Sequence, residues 1–120
     1  MIPTPRILIV DDDPRFLRVL HLALSSHGYE VTDAADGKEA LNAVAGRAPD
    51  LIVLDCQMPG MYGIQTCRLL RLSSAAPVIM ISGNRSNSSE VALNAGANDY
   101  LAKPFSINDL LTRIEASLKS

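Results

Sequence analysis

Five short apolar runs alternate along this chain with stretches of helical period, and that alternation leaves few folds open. The runs fall at about 6–10, 29–33, 51–54, 78–81 and 98–102. None shows strict polar–apolar alternation, so they suit strands covered on both faces. Between them, Asp13 is placed to cap a first helix and Pro14 sits where a helix tolerates a missing N–H. Phe16, Leu17, Leu20, Ala23 and Leu24 then share a face, and Gly28 ends the helix. Asp36 with Glu39 opens a second helix that turns Ala40, Leu41 and Val44 inward. Gly63 or Ile64 opens a third, with Ile64, Cys67, Leu70 and Arg71 on its stripe. A fourth starts in the polar run 84–89, continues through Val91, Ala92 and Ala95, and ends at Gly96. Ser106 and Asp109 form a capping pair for a fifth, whose apolar stripe is Ile107, Leu110, Leu111, Ile114 and Leu118.

Strict β–α alternation implies a mostly parallel sheet with right-handed crossovers and helices on both faces. At 120 residues the chain has the length of one domain, and no region, repeat or linker is left over for a second; residues 1–120 are expected to form a single unit. With two Phe, three Tyr and no Trp in a 48% hydrophobic composition, Leu, Ile, Val and Ala must fill the core. A net charge of -2 is too small to argue for nucleic-acid or membrane binding. No run reaches the roughly 20 apolar residues needed to cross a bilayer. The first six residues lack a signal-peptide pattern. Cys56 and Cys67 have neither metal nor redox-pair spacing, and two free thiols suit a reducing cytoplasm.

Four of the runs end on one chemically pointed residue: Arg6-Ile-Leu-Ile-Val-Asp-Asp12, Leu51-Ile-Val-Leu-Asp55, Val78-Ile-Met-Ile-Ser82 and Tyr100-Leu-Ala-Lys103-Pro104. Tyr29-Glu-Val-Thr-Asp33 is a less pointed fifth. In open parallel sheets ligands bind beyond the carboxyl ends of the strands, where strand order reverses. Asp11, Asp12, Asp55, Ser82 and Lys103 are therefore expected to converge. Two carboxylates 4 Å apart repel by about 4 kcal/mol at an effective dielectric near 20, so the acidic trio needs protons or a cation. Hard oxygen ligands with room for water suit Mg²⁺. Zinc is disfavoured because His21 and His27 lie on the first helix, away from the acidic end. Asp11–Asp13 read alone would merely cap a helix; Asp55 at the next strand's end argues for a site. Lys103 would pair with Asp55 or with arriving phosphoryl oxygens. Ser82 precedes Gly83, where a backbone could approach a ligand closely, and is read as a hydrogen-bond donor to a phosphoryl oxygen rather than a strand-end cap. The Lys103–Pro104 bond is expected to be cis, since X–Pro bonds have only a small trans preference. Neither a Gly-x-Ser-x-Gly elbow nor a Gly-x-x-x-x-Gly-Lys-[Ser/Thr] loop is present.

These residues resemble the receiver domain of two-component response regulators, of the chemotaxis-regulator type, from Ile7 to Leu118. The motifs are Ile7-Leu-Ile-Val-Asp-Asp-Asp-Pro14, Pro49-Asp-Leu-Ile-Val-Leu-Asp-Cys-Gln-Met-Pro-Gly60, Pro77-Val-Ile-Met-Ile-Ser-Gly83 and Gly96-Ala-Asn-Asp-Tyr-Leu-Ala-Lys-Pro-Phe105. The resemblance implies a flavodoxin-like three-layer α/β fold with a five-stranded parallel sheet in the order 2-1-3-4-5. It implies that Asp55 accepts a phosphoryl group from a phosphohistidine on a sensor kinase or histidine phosphotransfer protein. Mg²⁺, or Mn²⁺ in its place, would be held by Asp12, by Asp11 directly or through water, by Asp55 and by the backbone carbonyl of Gln57. Lys103 and Ser82 would bind the phosphoryl group, and the rotamer of Tyr100 would follow Ser82. Cys56, Gly83, Gln57 and Asn84 would tune the phosphate loop and self-dephosphorylation. The output face would be the fourth helix, fifth strand and fifth helix. Asp99, Tyr100 and Arg113 resemble receivers that dimerise weakly through it, although Arg85 is the only basic candidate on the fourth helix.

One departure and two rival readings bear on that function. The family usually has Thr where this chain has Ser82, which implies a looser switch. A haloacid-dehalogenase-type phosphatase needs an acid two residues after its nucleophile, and that position holds Gln57. A phosphate-independent pseudo-receiver would lack the acidic pair, the acceptor or the lysine, and all are present. The expectation is a switch rather than a turnover enzyme, without direct nucleic-acid binding by this segment. The kinase and the output partner or domain are left open, as is whether the chain is stand-alone or the receiver of a longer protein.

Overall fold

The computed structural model describes residues 4–56, 63–83 and 89–119, with the side chains of 89–91 excepted. Ten elements alternate in chain order: β1 (Arg6–Val10), α1 (Pro14–Ser26), β2 (Glu30–Ala34), α2 (Gly37–Gly46), β3 (Leu51–Asp55), α3 (Gly63–Arg71), β4 (Val78–Ser82), α4 (Ser89–Asn94), β5 (Asp99–Ala102) and α5 (Ile107–Leu118). The five strands form one parallel sheet in the order β2-β1-β3-β4-β5.

Period-two alternation within each strand divides the core into two layers. Ile7, Ile9, Leu51, Val53, Ile79, Ile81 and Leu101 point to one face. There they meet Leu17, Leu20 and Leu24 of α1 and Leu110 and Ile114 of α5. Leu8, Val10, Ile52, Leu54, Val78 and Met80 point to the other, against Ala40 and Val44 of α2, Cys67 and Leu70 of α3 and Ala92 of α4. Both faces of β3 and β4 are covered, which is why these strands read as unbroken apolar runs. β2 lies at the sheet edge and exposes Glu30, Thr32 and Asp33, a charged margin that discourages pairing with another chain.

Helix ends follow the local chemistry. Asp13 caps α1 by accepting from Arg15 N at 2.9 Å, and Asp36 caps α2 by accepting from Glu39 N at 2.8 Å. Ser106 and Asp109 form a reciprocal capping box on α5. Gly28 and Gly96 take positive φ just beyond α1 and α4, where an L side chain is disfavoured. Arg71, expected on the inward stripe of α3, instead clamps α3 to the turn before β5. Its guanidinium donates to Gly96 O at 2.9 Å, Ser74 O at 2.9 Å and Asn98 Oδ1 at 3.2 Å. No helix among the described residues is long and apolar enough to cross a membrane.

Candidate functional site

Strand ends deliver the reactive side chains because the hydrogen-bond ladder continues one residue past several strands. Asp11 N donates to Ala34 O at 3.1 Å, Cys56 N to Ile81 O at 2.8 Å and Lys103 N to Ser82 O at 2.8 Å. The rim is therefore built on sheet backbone rather than on free loop. Oxygens of Asp11, Asp12 and Asp55 all lie within 4.8 Å of one another. Asp11 and Asp55 are buried, at 2% and 5% exposure, while Asp12 is open to solvent. At such separations each carboxylate pair repels by about 3 kcal/mol or more at an effective dielectric near 20.

Burial holds the Asp11 carboxyl above its ordinary range. A hydrogen bond from Asp13 N at 2.9 Å and the nearby Lys103 ammonium only partly oppose that rise. A buried carboxylate crowded by two others and only partly offset by one ammonium leaves room for further positive charge. An all-oxygen donor set with one solvent-facing member fits a hard divalent ion that keeps water ligands.

Lys103 follows β5, and its ammonium lies 3.4 Å from Asp11 Oδ2. The sequence had suggested Asp55 as the resting partner; the ion pair found is with Asp11, on the strand beyond β3. The ammonium also sits 4.2 Å from the centroid of the Phe16 ring, and Phe16 meets Phe105 edge to face at 6.1 Å. Its stem passes Gly83: a Cβ there would stand 3.7 Å from Lys103 Cβ and Cδ, an ordinary contact. The Lys103–Pro104 peptide is cis, as the sequence suggested.

Ser82 ends β4 and is buried on the same rim. The adjacent Cys56 thiol is pushed up to about 12, chiefly by burial and secondarily by the charge of Asp55, with a Ser82 hydrogen bond opposing. Cys67 is raised by burial as well. Both thiols are therefore protonated near neutrality, so Cys56 is a buried neighbour of Asp55 and not a nucleophile. Tyr100 is half-buried against the α2–α4 layer. Arg113 pairs with Asp99 within the chain.

One residue closes the rim from behind. Gly63, the first of α3, donates to Cys56 O at 2.9 Å. A Cβ at that position would lie 2.2 Å from Asp55 O and 2.5 Å from Cys56 Cα. Gln57 and Asn84, with the Met58–Gly60 segment and Arg85, lie outside the described residues. Asp11, Asp12, Asp55, Ser82 and Lys103 thus occupy one end of the sheet, as the spacing of the apolar runs implied. Phe16 and Gly63 were missed as rim residues. Phe16 carried no signal beyond its scarcity, because its spacing marks it simply as core, and Gly63 read only as a helix start.

Comparison with known proteins agrees with that geometry. The model of the response regulator receiver domain family matches residues 7–115. The DNA-binding response regulator MtrA of Mycolicibacterium smegmatis is 41% identical over 115 residues, covering 95% of this chain and 50% of that protein. The response regulator MprA of Mycolicibacterium vanbaalenii is 45% identical over 116 residues, with 95% and 50% covered. The chain thus spans about half the length of the curated relatives it matches. A crystal structure of a CheY-like receiver domain protein from Methanospirillum hungatei superposes with a TM-score of 0.90 at 35% identity, covering 98% of this chain and 95% of that one. With the matched segment running from β1 into α5 and the strand order in agreement, the chain belongs to the response regulator receiver domain family of two-component systems.

Proposed function

We propose that residues 1–120 form a single receiver domain in which Asp55 takes a phosphoryl group from a phosphohistidine on a sensor kinase or a histidine phosphotransfer protein. What carries the proposal is one juxtaposition: three carboxylates within 4.8 Å of one another with a lysine ammonium 3.4 Å from one of them. An Asp55 oxygen attacks phosphorus in line, a P–O bond forms and the P–N bond to imidazole breaks, with the electron pair leaving on nitrogen. Asp11, Asp12, Asp55 and the Gln57 carbonyl would hold Mg²⁺, or Mn²⁺ in its place, which supplies charge neutralisation for the phosphoryl oxygens. Lys103 adds a positive charge from the carboxyl end of β5, and Ser82 donates a hydrogen bond once the group is present. Water later hydrolyses the acyl phosphate, on a path tuned by Cys56, Gln57, Gly83 and Asn84.

The product adds up to two negative charges and new acceptor oxygens. Ser82 and Lys103 bind those oxygens better than a bare carboxylate, and that difference biases the chain toward a second conformation. Tyr100 would follow Ser82, and the α4–β5–α5 face would carry the change, whether to an output partner or through weak self-association. Because the chain spans half of its relatives, the output is proposed to lie outside this segment, which carries a net charge of -2 and is not proposed to bind nucleic acid itself. Two buried free thiols and a kinase-borne donor support a proposed cytoplasmic location.

The test is incubation with acetyl phosphate and Mg²⁺ followed by intact mass measurement. One phosphate per chain is expected, lost on addition of a chelator before the donor and absent from Asp55→Asn. Failure of the wild-type chain to gain mass, or catalytic turnover of phosphomonoesters in place of stoichiometric labelling, overturns the proposal.

A further inference from the structure

We propose that Phe16 is a positioning residue for Lys103, holding its ammonium at the rim when the acidic cluster changes partners; this rests on the phosphoryl-transfer function above. The ammonium has two observed anchors, the Asp11 carboxylate at 3.4 Å and the Phe16 ring at 4.2 Å from the centroid. They differ in one respect. Asp11 belongs to the donor set proposed for the divalent ion, so an arriving ion competes with Lys103 for the same carboxylate. The Phe16 ring carries no formal charge, so its attraction for the ammonium does not depend on how the carboxylates are occupied.

Three observations show that the ring is set for this role rather than simply filling the α1–α5 layer. Phe16 is only partly buried, one turn before Leu20, which is fully buried. Phe105 presses on it edge to face at 6.1 Å with an interplanar angle of 86°, which fixes the ring plane that Lys103 sees. These are the only two phenylalanines in the chain, and both stand at this rim. The lysine side chain is 31% exposed, so without the ring an ammonium released by Asp11 would extend into water. Pre-setting it spares that ordering step when phosphoryl oxygens arrive.

Two measurements test this on the intact chain. The first is the NMR shift of the Lys103 Hε protons, moved upfield by the ring current, during a Mg²⁺ titration. The upfield shift is expected to persist at saturation; its loss as Mg²⁺ binds overturns the proposal. The second compares acetyl phosphate labelling rates at saturating Mg²⁺. Phe16→Leu, which keeps the apolar helix face, is expected to be about two- to fivefold slower, the size of an exposed cation–π contact. Phe16→Tyr is expected to restore the wild-type rate, which a purely space-filling role does not require. A wild-type rate in Phe16→Leu, or no rescue by Phe16→Tyr, refutes the positioning role while leaving Asp55 labelling intact. An unlabelled wild-type chain refutes the underlying function instead.

Discussion

Gly63→Ala is the substitution that most directly tests whether backbone packing behind β3 sets the position of Asp55. The added Cβ would lie 2.2 Å from Asp55 O and 2.5 Å from Cys56 Cα, and both are backbone atoms that no rotamer change can move aside. Opening the first contact to even 3.0 Å, the limit of real Cβ contacts, requires a relative displacement of at least about 0.8 Å. Overpacking of this kind costs about 1–3 kcal/mol, which at roughly 4–5 °C per kcal/mol lowers Tm by about 4–15 °C. A displacement near 1 Å at a reacting group can cost on the order of 100-fold in rate. Labelling by acetyl phosphate should therefore slow about 10- to 100-fold in the population that remains folded, read by intact mass below the lowered Tm. Gly46→Ala is the matched control: nothing lies within 4 Å of its Cβ, so it should label normally and melt at or slightly above the wild-type temperature. A Gly63→Ala chain that melts within 2 °C of wild type, on the scale of about 4 °C per kcal/mol, and labels at the normal rate would show that α3 does not constrain Asp55.

Two further outcomes follow from the rim. Ser82→Thr adds one methyl at a buried position, worth about 0.8 kcal/mol of burial where it fits. The shift between unphosphorylated and phosphorylated conformations should then change about fourfold, with a changed phosphate lifetime; an unaltered NMR spectrum and lifetime would remove the missing methyl as a cause of looseness. The raised thiols make stability fall in alkali. Below pH 9, the ordinary thiol value, folded and unfolded chains both hold their protons. Between about 9 and 12 the unfolded chain releases the Cys56 proton and the folded chain does not. Stability is thus fully present below pH 9 and declines by up to about 1.4 kcal/mol per pH unit per thiol. Urea midpoints at pH 8 and pH 10.5 should show a larger loss in wild type than in Cys56→Ala, and equal losses would contradict the burial of that thiol.

The fold was legible because each level of the sequence agreed with the next. Apolar runs predicted at 6–10, 51–54 and 78–81 match β1, β3 and β4 within one residue, since burial on both faces leaves no polar interruption to blur them. The caps at Asp13, Asp36 and Ser106 were readable for a local reason: a side-chain oxygen and an amide two or three residues away need no tertiary context. Strand order came from the family resemblance, because β–α alternation alone fixes parallel pairing and not which strand stands beside which. The sequence anticipated which residues gather at the rim; what escaped was which particular partner a long side chain meets there. Arg71 had the spacing of an inward helix position, yet its guanidinium satisfies carbonyls of another turn. Lys103 was expected opposite Asp55, but its ammonium pairs with Asp11 and leans on Phe16, 87 positions away along the chain. Periodicity says which face a side chain takes and is silent on what stands across from it.

The sheet's centre and its β5 margin have unequal freedom, and this follows from its strand order. β3, which carries Asp55, is bonded to β1 on one flank and β4 on the other, so moving it would strain two ladders at once. β5, which leads into Lys103 and includes Tyr100, is a four-residue outer strand bonded to β4 alone. A pull of equal strength exerted from the rim therefore leaves Asp55 almost stationary and spends itself on the outermost strand. Compliance is concentrated on the flank where another molecule has room to feel it.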